Sequence, residues 1–148
     1  MTRWLSDDEQ RAWRAFVSLQ AKLNAQLNRE LQAESDLSLA DFEVLVHLTD
    51  RDDGRVRAFE LAKEMQWEKS RLSHHLARMK RRGLIDRVEC DEDARGSYIE
   101  LTPEGRRAIE HAAPGHVETV RRLIFDQLTP EQVRALRAIS ETVLAQLD

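Results

Sequence analysis

The stretch from Glu60 to Leu84, ELAKEMQWEKSRLSHHLARMKRRGL, restricts the fold more than any other part of the chain. Leu61, Ala62 and Met65 fall at i, i+1 and i+4, which places them on one face of a short helix. Leu72, Leu76 and Met79 fall at i, i+4 and i+7 and form the apolar stripe of a second helix. Gln66 and Trp67 lie between the two patterns, a gap that leaves room only for a tight turn. Gly83 closes the second helix, as a residue just past a helix end commonly does. Two short helices joined in this way are the sequence form of a helix-turn-helix.

The second helix has a small, basic polar face. Lys69, Ser70, Arg71, Ser73, His74 and Arg78 all lie off its apolar stripe. In a DNA-binding helix-turn-helix such residues face the major groove, with the N-terminal ones nearest the base edges. The plainer alternative is a solvated basic face on a core helix.

Charge distribution favours the first reading. The 148-residue chain carries a formal net charge of −4, which taken alone argues against nucleic acid. Between Arg55 and Arg87, however, stand ten basic and four acidic residues, a local +6 against −10 for the remainder. A basic patch on an acidic body still attracts phosphate, because charges are screened over about 8–10 Å at cellular salt. A length of 148 residues fits one domain with a real core, and 41% hydrophobic with 34% charged residues is ordinary for a helix-rich soluble protein. No apolar run approaches the length of a membrane span, and the opening MTRWLSDDEQ lacks the apolar core of a signal peptide. The single cysteine, Cys90, has no internal disulfide partner, which points to a reducing cytoplasm.

Before the helix-turn-helix, Ser6 and Glu9 form a capping box that starts a helix predicted to run to about Glu34. It carries a Leu19, Leu23, Leu27, Leu31 ridge, with Trp13, Phe16 and Val17 beside it. At roughly 40 Å it exceeds what one side of a small domain needs, so part of its stripe is expected to meet another chain. Ser38 starts the next helix, with Leu37 and Phe42 as a hydrophobic staple. Asp52, Asp53 and Gly54 make a turn, and Arg55 to Ala58 has room for a short extended piece.

After Gly83 the period changes to two. Leu84 to Cys90 and Ser97 to Leu101 read as paired strands with a polar tip between them, a wing behind the helix-turn-helix. Thr102 and Pro103 start a helix in which Pro114 and Gly115 predict a kink. Thr129, Pro130 and Gln132 start the last helix, which is expected to bury Val133, Leu136, Ile139, Val143 and Leu147. The fold class is therefore mainly α with a small two-stranded β wing. Residues 1–148 form a single domain, with a winged helix-turn-helix lobe at about 37–101. Residues of about 6–34 and 102–148 form a helical dimerisation layer.

This order of elements, with the segments KSRLSHHLARMKRRGLIDR and DARGSYIELTPEG, resembles the MarR family of multiple-antibiotic-resistance-type regulators. The resemblance spans roughly Trp13 to Leu147, and its two motifs occur in the right order around the right elements. It implies a cytoplasmic, homodimeric DNA-binding repressor built through the first and last two helices. It also implies a palindromic duplex as partner and a small aromatic or phenolic effector that releases it. Carried over by position, Lys69, Ser70, Arg71, Ser73, His74 and Arg78 match the recognition helix. Arg95 matches the wing arginine that enters the minor groove, and Asp93 the acid that orients it. The wing departs from the pattern in also carrying Asp91 and Glu92, which repel phosphate, and in lacking a second basic residue.

Other chemistry is weakly represented. Cys90 sits at a strand end, whereas the family's peroxide sensors carry theirs near the start of the first helix. His47, His74, His75, His111 and His116 show no chelating spacing, so no metal or other cofactor is expected. Trp13, Phe16 and His47 are candidates for an effector cleft, set against the commoner role of such residues in a core. No phosphate-binding glycine loop, HExxH or GxSxG occurs, which argues against an enzyme. The other functional reading is a winged-helix module whose basic face binds an acidic protein partner.

Overall fold

The structure, a computed structural model, describes residues 1–89 and 96–148. In chain order its elements are α1 (Asp7–Ser35), α2 (Leu39–Thr49), β1 (Arg55–Arg57), α3 (Ala58–Met65) and α4 (Lys69–Arg81). There follow β2 (Ile85–Glu89), β3 (Ser97–Leu101), α5 (Pro103–Leu123), a 3-10 turn at Phe125–Gln127 and α6 (Pro130–Leu147). The helix starts read from the sequence are present with their capping chemistry. Ser6 with Glu9, Ser38 with Asp41 and Thr129 with Gln132 each form a reciprocal capping box. Gly83, just past α4, has φ +79°, a left-handed conformation that glycine adopts without a Cβ penalty.

Helix α2 is the centre of the winged lobe. Val44, Leu45 and Leu48 have no exposed surface and Phe42 is buried, so apolar side chains leave this helix in several directions. A helix apolar on most sides must be surrounded. Here α1, α5, β1 and β3 pack around it. The second helix of the helix-turn-helix contributes Leu72, Leu76 and Met79 to the same core, and the sheet contributes Val56, Ile85 and Ile99.

The wing has the two strands expected, paired antiparallel with Ile85 opposite Leu101 and Glu89 opposite Ser97. A third strand joins them. β1 pairs with the other edge of β3, Val56 opposite Ile99, giving the order β1-β3-β2. Three residues are too few for a period-two pattern to stand out in the sequence, so only an extended piece was legible there. The tip, including Cys90, Asp91, Glu92, Asp93 and Arg95, lies outside the described residues.

α5 is one continuous helix from Pro103 to Leu123 with Pro114 inside it. One expectation about the terminal helices needs revision. α6 does not bury its apolar stripe within the chain. Ile139, Val143 and Leu147 are 63%, 53% and 74% exposed, and no residue of α6 is buried. The stripe is real, but among the described residues no other element buries it. The N-terminal half of α1 is similar, with Trp13, Phe16, Val17 and Leu19 exposed, whereas Leu27 and Leu31 are buried.

Candidate nucleic-acid interface

Helix α4 is divided cleanly between an inner and an outer face. Leu72, His75, Leu76 and Met79 are buried, while Lys69, Ser70, Arg71, Ser73, His74 and Arg78 are all exposed. The six residues read from the sequence thus share the outward side of one helix, and no acidic residue interrupts them between Lys69 and Arg82. Glu68, at the N-cap, makes no side-chain capping bond. A groove of about 280 Å³ runs beside α4, lined by Phe59 of α3, Lys69 and Ser73 of α4, Arg87 of β2 and Ser97 of β3. Arg87 enters the groove because it stands opposite the buried Ile99 and so projects from the helix-facing side of the sheet. Sequence reading placed Arg87 on a strand without seeing this, since the side of a strand is settled by register.

Two of the outward arginines are held by neighbours. The Arg71 guanidinium lies 3.9 Å from the centroid of the Trp67 ring. Arg78 Nη2 lies 3.2 Å from His75 Nδ1. The His75 ring meets Trp67 edge-on, with centroids 5.4 Å apart, and its Nε2 lies 2.9 Å from Asp41 Oδ1. Asp41 also accepts from Arg82 Nη1 at 2.8 Å and from the Ser38 backbone N–H at 2.9 Å. Arg82 reaches further and donates to the Asp36 carbonyl at 2.6 Å. Burial pushes the Asp41 carboxyl up, but His75, the Ser38 N–H and Arg82 outweigh it and hold the group well below the usual carboxylate range.

Asp41, His75 and Arg82 were not singled out as site residues from the sequence. One signal was available. His75 falls at i+3 from Leu72 on the apolar stripe, where an imidazole requires polar partners. The partner itself, Asp41, lies 34 residues away and is visible only once the chain has folded.

The effector candidates separate. His47 lines a cleft of about 280 Å³ with Asn24, Leu27, Leu39, Phe42, Glu43, Val46 and His116, between α1, α2 and α5. Trp13 and Phe16 do not line it. They lie against each other, tilted by 42° with centroids 6.3 Å apart, on the exposed N-terminal half of α1. At the helical rise, Trp13 and Phe16 lie roughly 16 Å and roughly 12 Å from Asn24 along the axis of α1. His116, which sequence reading had not placed in a cleft, lies 4.4 Å from the Phe42 ring between centroids, and burial lowers its pKa.

The family model described as MarR family matches residues 35–96, the span from the end of α1 to the start of β3. The HTH-type transcriptional repressor YetL of Bacillus subtilis (strain 168) is 36% identical over 84 residues, 57% of this chain. That alignment spans half the length of YetL. Two structures from Streptomyces coelicolor are similar over 99% of this chain, each at 38% identity. AbsC, a MarR family transcriptional regulator, is covered over 98% of its length with a TM-score of 0.92. Sco3205, a MarR family transcriptional regulator in complex with DNA, is covered over 92% with a TM-score of 0.94. With relatives this similar matched along nearly their whole lengths, the chain belongs to the MarR family.

Proposed function

We propose that this protein is a homodimeric, sequence-specific DNA-binding regulator that represses transcription in the cytoplasm. The observation that carries the reading is the outward face of α4, six exposed polar or basic residues on a helix whose inner face is fixed in the core. Ser70, Ser73 and His74 lie toward the start of that helix, where side chains reach base edges in the major groove. Lys69, Arg71 and Arg78 supply positive charge for phosphates or guanines. By its match to the family's wing arginine, Arg95 is assigned to the minor groove, whose negative potential attracts a guanidinium. The DNA complex of the similar Sco3205 and the repressor role of the similar YetL support this reading.

Homodimerisation is supported by the uncovered apolar side chains of α1 and α6. Exposed apolar area of this extent, on helices at the two ends of the chain, marks an interface. An effector role is supported by the cleft holding His47 and His116, whose size and mixed lining suit a small aromatic or phenolic acid. Such a ligand regulates only if it prefers one of two states of the dimer. Salicylate-type acids should therefore raise thermal stability and weaken duplex binding together, and a panel that moves neither removes the effector from the reading.

Binding selections on randomised duplexes test the central claim. The unmodified protein should select a palindrome with half-sites about one helical turn apart. His74→Ala should change the preferred bases within the half-site. Arg95→Ala should weaken binding to many duplexes alike and lower the salt slope by about one counterion. Equal affinity for selected and random duplexes would instead favour an acidic protein partner for the basic face.

A further inference from the structure

We propose that His75, anchored by Asp41, is a positioning residue that aims Arg78 at the duplex. The inference rests on the DNA-binding reading and deepens it. His75 is only 7% exposed and occupies a place on the inner stripe of α4 that a leucine would fill without polar partners. Both its nitrogens have neighbours, and the two neighbours demand the same tautomer. A carboxylate only accepts, so Nε2, 2.9 Å from Asp41 Oδ1, carries the proton. The contact falls short of a well-aligned hydrogen bond, so the carboxylate acts on the N–H dipole at close range. A guanidinium only donates, so Nδ1, 3.2 Å from Arg78 Nη2, accepts.

Asp41 is itself immobilised by Ser38 and Arg82 in the first turn of α2, the most deeply buried helix. A polar chain therefore runs from the core of the lobe, through His75, to an arginine on the exposed face of α4. The charged groups around the imidazole are Asp41 with Arg82 behind it, Arg78, and Arg71 beyond the Trp67 ring. A free arginine samples many rotamers and loses them on binding, whereas one already held near its bound direction loses fewer. Asp41 thus acts on the duplex through His75 without touching it.

The test compares affinities for a selected duplex among the unmodified protein, His75→Phe, His75→Asn, Arg78→Ala and the double variant His75→Phe with Arg78→Ala. Phenylalanine keeps a ring against Trp67 and removes both nitrogens, and Asp41 keeps Arg82 and Ser38. His75→Phe and Arg78→Ala should each weaken binding by about tenfold, and the double variant should be no weaker than Arg78→Ala alone. His75→Asn, whose side-chain oxygen can accept where Nδ1 did, should stay within about threefold of the unmodified protein. Losses that multiply in the double variant overturn the proposal, as does a loss in His75→Asn equal to that in His75→Phe.

A second measurement needs no stable variant at His75. Imidazole 15N shifts of the unmodified protein should show His75 protonated at Nε2 with Nδ1 accepting a hydrogen bond, and Nδ1 should shift in Arg78→Ala. Protonation at Nδ1 overturns the proposal. If the unmodified protein prefers no duplex, the DNA-binding reading falls and this inference with it. Specific binding with independent losses overturns this inference alone.

Discussion

Asp41 and Gly105 are two residues whose neighbours explain why their types stand where they do. Asp41 closes the capping box of α2 and at the same time pairs with Arg82 at the end of α4 and lies 2.9 Å from His75 Nε2. Its folded pKa lies below its unfolded value, so the unfolded chain takes up the proton first as pH falls. The stability it contributes is complete above about pH 4–5 and is lost as pH falls further. Urea unfolding between pH 6 and pH 3 should therefore show a shallower acid loss in Asp41→Asn than in the unmodified protein. Gly105 belongs to the TPEG segment that opens α5. A Cβ there would overlap the Leu84 carbonyl oxygen and come within 2.9 Å of Leu101 Cδ1. Glycine is needed because the first turn of α5 lies directly on the backbone that follows α4. Gly105→Ala should destabilise the protein by about 1–3 kcal/mol, read as a lowered denaturation midpoint.

At the scale of elements, the helices differ in what holds them. α2 is surrounded by core, so loss of its cap reaches global stability. Ser38→Ala should cost about 1 kcal/mol in denaturant unfolding, since the Asp41 N–H loses its acceptor and Asp41 loses part of its orientation. Ser6 makes the same reciprocal bonds at the start of α1, but that end of the helix is exposed. Ser6→Ala should leave the global midpoint nearly unchanged and instead speed hydrogen exchange in the first turn of α1. One motif chemistry at two places thus gives two outcomes. The element pairing α4 with the sheet is equally asymmetric. Leucine and methionine bind its inner side to the lobe, while its outer side adds nothing to the core and carries exposed polar and basic side chains.

The whole molecule is incomplete as a single chain in one respect, the uncovered stripe of α6 and the N-terminal half of α1. Sedimentation at micromolar concentration should give a mass near twice 17.2 kDa. Ile139→Asp places a charge in the middle of the stripe and should shift the protein toward monomer. Charges buried without partners are strongly disfavoured at an interface, so even one substitution per chain should act. The monomer should bind a palindromic duplex much more weakly than the dimer, because the second half-site no longer benefits from the first. A mass of one chain for the unmodified protein would remove the basis for a two-fold operator.

Much of this architecture was determined by local sequence. Ser, Thr, Pro and Gly mark helix ends by chemistry that acts within four residues, so the starts of α1, α2, α5 and α6 and the end of α4 were legible. The 3.6-residue period by itself likewise separates the inner side of α4 from its outer side. What remained hidden depends on distance in the chain or on another chain. The sequence marks Ile139 and Val143 as apolar but says nothing of what covers them, because periodicity identifies a face and not its occupant. β1 needed its partner strand to be recognised as a strand, and Arg87 needed a register to acquire a direction. Trp13 and His47 stand on consecutive helices, yet the length of α1 carries Trp13 away from the cleft, whose further histidine, His116, comes from α5. Asp41 and His75 each had a sufficient local explanation, a cap and a stripe position. Only tertiary packing joined them, because a buried imidazole takes its partner from whichever element the core presses against it.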